Sequence, residues 1–195
     1  MKHVVTLLML VFFLAFQANA QRANDFRLKD ALSESDFTLA EHTDARAVVL
    51  IFTNLNCPFS KLYEERIVAL HQQFSAQGFV FALINPHTQV EEEETMANIK
   101  IRAAEQNLKM PFLMDDSQVV TKQYGITKLP EVVIVTPSPT GFAIAYRGAI
   151  DNNPQIAENA SLKYLENALT AISNRRNPSP TSTRPVGCNV RFLSR

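Results

Sequence analysis

Residues 47–60 read Ala47-Val48-Val49-Leu50-Ile51-Phe52-Thr53-Asn54-Leu55-Asn56-Cys57-Pro58-Phe59-Ser60. The opening run, Ala47 to Phe52, is apolar throughout, rich in β-branched side chains and too short for a helix. It reads as a strand buried on both faces, most naturally a central parallel one. Past Cys57-Pro58, the side chains Tyr63, Ile67, Leu70 and Phe74 recur at helical spacing and mark one face of a helix that ends before Gly78. A cysteine therefore stands where a strand turns into a helix. Pro58 suits the first helical position, because its missing N–H would have had no partner there. Phe79 to Ile84 forms a second buried strand, and the strand, helix, strand succession makes a right-handed crossover the default. This is the core of an α/β domain.

Working outward, Glu91 to Glu94 open a helix that carries Met96, Ile99 and Ala103 on one side. Their four carboxylates suit the positive end of the helix dipole and read as a solvated face rather than a metal site. Phe112-Leu113-Met114 is a short strand, and Asp115-Asp116-Ser117 supply capping side chains for a brief helix through Val120 and Tyr124 that stops at Gly125. Leu129-Pro130 stands immediately before the strand Val132 to Val135. A proline at the entrance of a buried strand cannot donate to the ladder, and a cis bond is expected there. Pro137 to Gly141 turns the chain into Phe142–Tyr146 as an antiparallel hairpin, and a last helix buries Leu162, Leu165, Leu169 and Ile172. From Arg175 to Pro185 the composition shifts to Arg, Asn, Pro, Ser and Thr, a linker with too little to bury. It delivers Gly187-Cys188-Asn189-Val190-Arg191-Phe192.

Composition bounds the function classes. The chain has 195 residues, 46% of them hydrophobic, with 19 Lys+Arg against 19 Asp+Glu. That balance leaves no basic stripe for nucleic acid and no strong field toward acidic or polybasic partners. The length suits one globular domain. Met1-Lys2-His3, an apolar stretch from Val4 to Phe16 and the ending Ala18-Asn19-Ala20 form the pattern of a signal peptide cleaved before Gln21. At 1.5 Å per residue the stretch makes about 20 Å, short of a hydrocarbon core of about 30 Å. The expected organisation is a signal peptide over 1–20, a folded domain over 21–174 and a Pro/Ser/Thr-rich tail over 175–195 that carries Cys188. The product is expected to be exported, periplasmic or secreted, with no integral membrane segment after cleavage. In such a compartment two cysteines can hold a disulfide.

The strand ending at Cys57-Pro58-Phe59-Ser60, the two later βα segments, Leu129-Pro130 entering a strand, the hairpin and the closing helix resemble the thioredoxin fold over residues 26–173. Within that fold the chain is similar to the exported, peroxiredoxin-like branch of the alkyl hydroperoxide reductase/thiol-specific antioxidant group. The similarity lies in Phe52 to Phe59 with Tyr63-Glu64, in Tyr146-Arg147-Gly148-Ala149-Ile150-Asp151-Asn152, and in Pro185 to Phe192. The resemblance implies a thioredoxin-like fold, a central mixed β-sheet flanked by helices, and an activity based on thiols. It departs from typical thioredoxins at Ser60, where those carry a second cysteine. Peroxiredoxins place a threonine three residues before the attacking cysteine, whereas Thr53 lies four before Cys57.

A thiolate is the nucleophile, and a helix N-terminus lowers a cysteine's pKa. Cys57 is thus the candidate catalytic residue, with Ser60 placed to donate a hydrogen bond to its sulfur. Pro58, Phe59, Ser60, Leu129 and Pro130 are the candidate substrate-binding residues around it. A lone thiolate forms a mixed disulfide or a sulfenic acid, and Cys188 is the one internal thiol that could resolve either. The tail is long enough to reach, since an extended segment after Asn174 spans on the order of 45 Å. Three outcomes remain open for Cys188: a resolving cysteine, half of a structural bridge, or an inert thiol on a tail that packs as an edge strand through Val190 and Phe192. His42, His71 and His87 show no ligand spacing and no neighbouring cysteine in sequence, so no zinc site is expected. No phosphate loop or dinucleotide fingerprint occurs, and no cofactor is implied. Arg147 reads as a surface residue or a carboxylate partner, and a catalytic role for it is implied by the resemblance alone. The expected function is an exported thiol–disulfide oxidoreductase acting on protein thiols and disulfides and served by an external redox partner. The alternatives are a thiol peroxidase acting on small peroxides and a non-redox module whose groove captures extended peptide.

Overall fold

The structure, a computed structural model, describes residues 21–194. The signal peptide expected over 1–20 lies outside the described residues. Among the described residues, ten strands and four α-helices follow one another: β1 (Arg22–Ala23), β2 (Arg27–Asp30), β3 (Asp36–Thr38), β4 (Ala47–Phe52), α1 (Pro58–Ser75), β5 (Phe79–Asn85), α2 (Met96–Glu105), β6 (Phe112–Met114), α3 (Val119–Gln123), β7 (Lys128–Leu129), β8 (Glu131–Ser138), β9 (Gly141–Gly148), α4 (Tyr164–Ser173) and β10 (Cys188–Asn189). Eight strands form one mixed sheet in the order β1-β9-β8-β4-β5-β6-β2-β3, and β10 pairs separately with β7.

β4 is central because every one of its residues is buried. It runs parallel to β5 and antiparallel to β8. Alternate side chains feed two cores. Val49 and Ile51 join Tyr63, Ile67 and Phe74 of α1, Ile99 of α2 and Leu165 and Leu169 of α4, while Val48, Leu50 and Phe52 join Val120 and Tyr124 beside α3. Each such fully buried side chain contributes about 1.5–3 kcal/mol. This two-sided burial fixes the C-terminal edge of β4, and with it the position of Cys57.

The segments that carry the resemblance act as anchors. Tyr63 Oη donates to Asp151 at 2.8 Å and Arg66 Nη1 lies 2.5 Å from the same carboxylate. Glu64 pairs with Arg102 of α2. Arg147 is a carboxylate partner: its Nε lies 2.7 Å from Glu131, which is buried at the start of β8.

Four sequence expectations need correction. α2 begins at Met96 with Thr95 as its cap, whose hydroxyl accepts the Asn98 N–H at 3.2 Å. Glu91 to Glu94 thus precede the helix, and Glu94 is fully buried. Leu162 is half exposed and lies before α4. The stretch read as a linker is held against β9, with Arg147 N donating to Thr181 O at 3.0 Å and Thr183 N to Arg147 O at 3.0 Å. The Thr183 hydroxyl also accepts the Ala149 N–H at 2.9 Å. Backbone pairing does not depend on apolar content, which is why composition misjudged this stretch. At the end of the tail, the ladder forms through Cys188 and Asn189 rather than through Val190 and Phe192; Val190 is buried and Phe192 is exposed.

Candidate active site

The loop Thr53–Asn56 leads from β4 into α1, and Cys57 is the N-cap of that helix, in extended conformation, followed by Pro58 at its first position. The Asn54 side-chain oxygen accepts the Cys57 N–H at 3.2 Å. Behind the loop, Glu94 accepts the N–H groups of Leu55 and Asn56, each at 2.9 Å, and the Asn85 side-chain N–H at 2.8 Å. A buried carboxylate surrounded by N–H donors is a charge-assisted clasp. It holds the loop that presents the cysteine.

Across the site, Leu129-Pro130 is a cis peptide. Leu129 on β7 pairs with Cys188 on β10, and Lys128 with Asn189. Cys57 and Cys188 form a disulfide, with an S–S distance of 1.99 Å and a sequence separation of 131. Of the open outcomes for Cys188, the unpaired thiol is thereby removed. The Cys57 sulfur also lies 3.3 Å from the Leu129 carbonyl oxygen. The tail approaches this strand very closely: a Cβ at Gly187 would fall 2.0 Å from the Leu129 oxygen.

The candidate substrate-binding residues divide. Pro58 is exposed beside the disulfide, and Phe59 is half-buried. Leu129 and Pro130 are buried, with the free edge of β7 taken by the tail. Ser60 is buried and its hydroxyl has no hydrogen-bond partner among the described residues. A buried hydroxyl without a partner costs stability. A Ser60→Ala protein is therefore expected to be as stable as the parent or about 1 kcal/mol more so when oxidised. A Ser60 hydroxyl that turns to donate to the thiolate predicts that the Cys57 thiol of the reduced variant ionises at higher pH. Alkylation rate against pH reads this directly, and an unshifted profile would remove Ser60 from that role.

His87 is the residue sequence reasoning missed. It lies in the cavity that Cys57, Cys188 and Arg191 line, 2% exposed. Burial pushes its imidazole below the ordinary histidine range, partly opposed by the Glu91 carboxylate. Burial alone would raise the Glu91 carboxyl, but hydrogen bonds from Asn56 and Arg191 bring it net below the ordinary carboxylate range. The Asn85-Pro86-His87 turn at the end of a buried strand was the only sequence signal for this position.

The profile of the AhpC/TSA family matches residues 20–152. No curated protein sequence matches the chain. Among solved structures, a hypothetical protein from Sinorhizobium meliloti 1021 is 28% identical, covering 90% of this chain and 94% of its own, with a TM-score of 0.81. An uncharacterized conserved protein from Geobacillus kaustophilus is 25% identical over 89% and 92% of the two chains, also with a TM-score of 0.81. A thiol:disulfide interchange protein of the thioredoxin family from Chlorobium tepidum TLS is 18% identical over 65% of this chain and 86% of its own, with a TM-score of 0.53. That last likeness concerns the fold, which is thioredoxin-like. Among the described residues no helix is long and apolar enough to cross a membrane.

Proposed function

The chain belongs to the AhpC/TSA family, and on that footing we propose that it is an exported thiol–disulfide oxidoreductase in which Cys57 attacks and Cys188 resolves. The observation that carries this reading is the Cys57–Cys188 bridge, which joins the N-terminus of α1 to a strand laid along β7. A second cysteine within the tetrapeptide is replaced by Ser60, and the tail supplies the missing thiol from outside.

The chemistry follows from which sulfur is reachable. Cys57 is 3% exposed while Cys188 is half-buried on the tail. An external reducing thiolate therefore attacks Cys188, and Cys57 leaves as a thiolate at the positive end of α1, where a low-pKa leaving group departs fastest. A second thiol of the reductant then frees Cys188. With the tail lifted, the Cys57 thiolate attacks a substrate disulfide and expels one substrate thiolate. Cys188 attacks the mixed disulfide at Cys57, expels the second, and restores the bridge. Two electrons pass from the reductant to the substrate, and no cofactor enters.

The test is titration of the mature protein in thiol/disulfide buffers, with alkylation and mass spectrometry counting free thiols. Opening near the potentials of exchange proteins is expected, and a bridge resistant below about −300 mV would mark a structural disulfide. In Cys188→Ser, mixed disulfides at Cys57 are expected to accumulate with partners. Full turnover without trapped species would take Cys188 out of the mechanism, and a sulfenic-acid adduct on Cys57 with matching loss of dilute peroxide would favour the peroxidase instead.

A further inference from the structure

The tail that carries Cys188 is held by more than its two-residue strand. His87 Nε2 accepts the Arg191 backbone N–H at 2.9 Å. Glu91 Oε1 lies 2.7 Å from His87 Nδ1 and 2.5 Å from Arg191 Nη2, so one carboxylate grips both the ring and the tail. Gln118 adds two bonds, donating to the Arg191 oxygen and accepting the Leu193 N–H, each at 2.8 Å.

The ring's protonation state follows from these partners. Two groups approach Nδ1: Glu91, which can only accept, and the Asn54 side-chain nitrogen at 3.0 Å, which can only donate. The Arg191 N–H can only donate to Nε2, so Nε2 carries no proton and a neutral ring must hold its proton on Nδ1, facing Glu91. Asn54 is then a neighbour of the ring, while its oxygen serves the Cys57 N–H. A protonated ring would place an N–H against the Arg191 N–H.

We propose that neutral His87 is a positioning residue that docks the Cys188 strand onto Cys57, and that protonating it undocks the tail. The inference deepens the exchange reading, because it sets how often Cys188 is within reach of the sulfur it must resolve. The charged groups facing the ring are Glu91 and Glu94, which favour its protonation, and Arg191, which with burial opposes it. When the tail lifts, Arg191 and part of the burial leave while both glutamates remain, so the undocked ring binds a proton more readily than the docked one. A ring depressed in the docked state makes docking fullest above the ordinary histidine value of about 6.5 and weakens it as pH falls below that value.

The experiment measures the Cys57–Cys188 equilibrium constant of the mature protein in glutathione buffers from pH 7.5 to 5. His87→Gln keeps an acceptor near the place of Nε2 and cannot titrate, whereas His87→Leu removes it. At pH 7.5 the Gln protein is expected within about twofold of the parent and the Leu protein about three- to tenfold lower, the worth of one hydrogen bond. Below pH 6 the parent is expected to fall toward the Leu protein while the Gln protein holds. Thiol ionisation is common to all three and cancels in their ratios. Should the Leu protein not fold, Arg191→Pro deletes the N–H from the exposed side and is expected to show the same loss at pH 7.5 and, like the Gln protein, no further fall below pH 6. A Leu protein equal to the Gln protein, or a parent-to-Gln ratio constant with pH, overturns the proposal. The exchange reading fails separately, by absence of turnover on any disulfide substrate, and that result leaves these ratios standing.

Discussion

In a Gly187→Ala protein the Cys57–Cys188 equilibrium constant against a thiol buffer is expected to fall by about 5- to 150-fold, the worth of roughly 1–3 kcal/mol of overpacking. The added Cβ would meet the Leu129 oxygen at 2.0 Å, the Leu129 carbonyl carbon at 2.6 Å and the Pro130 nitrogen at 3.1 Å. All three are backbone atoms, so no side chain can swing aside. Nor can the strand retreat. Its neighbour Thr127 donates to Glu131 at 3.3 Å and accepts the Val190 N–H at 3.0 Å, and Glu131 is itself fixed by Arg147. The tail must move instead, and it carries one of the two sulfurs. Since Gly187 does not use the left-handed region, the effect is one of space alone. Val186→Ala, next door but exposed, is expected to change the constant by less than about twofold. Thermal unfolding of the reduced protein should be the same in all three. An unaltered constant in Gly187→Ala would mean the tail does not need this approach to bring Cys188 to Cys57.

The glycine also shows where sequence stopped being informative. β4, α1, β5 and the hairpin were legible because each buries a long periodic or unbroken apolar set, and burial is a property that the side chains themselves declare. The position of Cys57 followed from that. β2 and β3 were invisible, since Arg27–Asp30 and Asp36–Thr38 are short strands at one end of the sheet, β3 its edge, with one strongly apolar side chain each. What anchors them is the Asp30 carboxylate, which accepts the Phe112 N–H at 2.8 Å across the sheet. The tail was misread for a related reason. Thr181 and Cys188 pair through main-chain groups, which every residue carries, Thr183 adds its hydroxyl to such a pairing, and only Gly187 hinted at a close approach. His87 lies 33 residues from Asn54 and 104 from the Arg191 N–H it accepts, separations that no local pattern encodes. Cys188 could be reached in sequence by elimination, yet its pairing had to be observed.

The run Glu91 to Glu94 makes the same point for a charge, and it yields the largest expected loss of stability. Composition treats four adjacent carboxylates as equivalent, whereas the fold turns Glu92 and Glu93 to solvent, half-buries Glu91 and buries Glu94 completely. The choice is dictated 38 and 39 residues away, by the N–H groups of Asn56 and Leu55 in the loop after β4, together with the side chain of fully buried Asn85. In Glu94→Ala three donors lose their acceptor. Asn56 is exposed and can turn to water; Leu55 and Asn85 are buried and cannot. At about 1–3 kcal/mol for each stranded donor, the loss is roughly 2–6 kcal/mol, a fall in Tm on the order of 10 °C for a domain of this size. Glu94→Gln keeps the shape and one oxygen but turns an amide N–H toward a backbone N–H, and about half that loss is expected. Calorimetry of the oxidised proteins measures both. The same substitution loosens the loop from which Asn54 accepts the Cys57 N–H, so the pH midpoint for alkylation of the reduced Glu94→Ala protein should move up toward that of an ordinary thiol. A Tm within a degree or two of the parent would mean the loop is held in place by β4 and α1 alone, with the buried carboxylate a passenger.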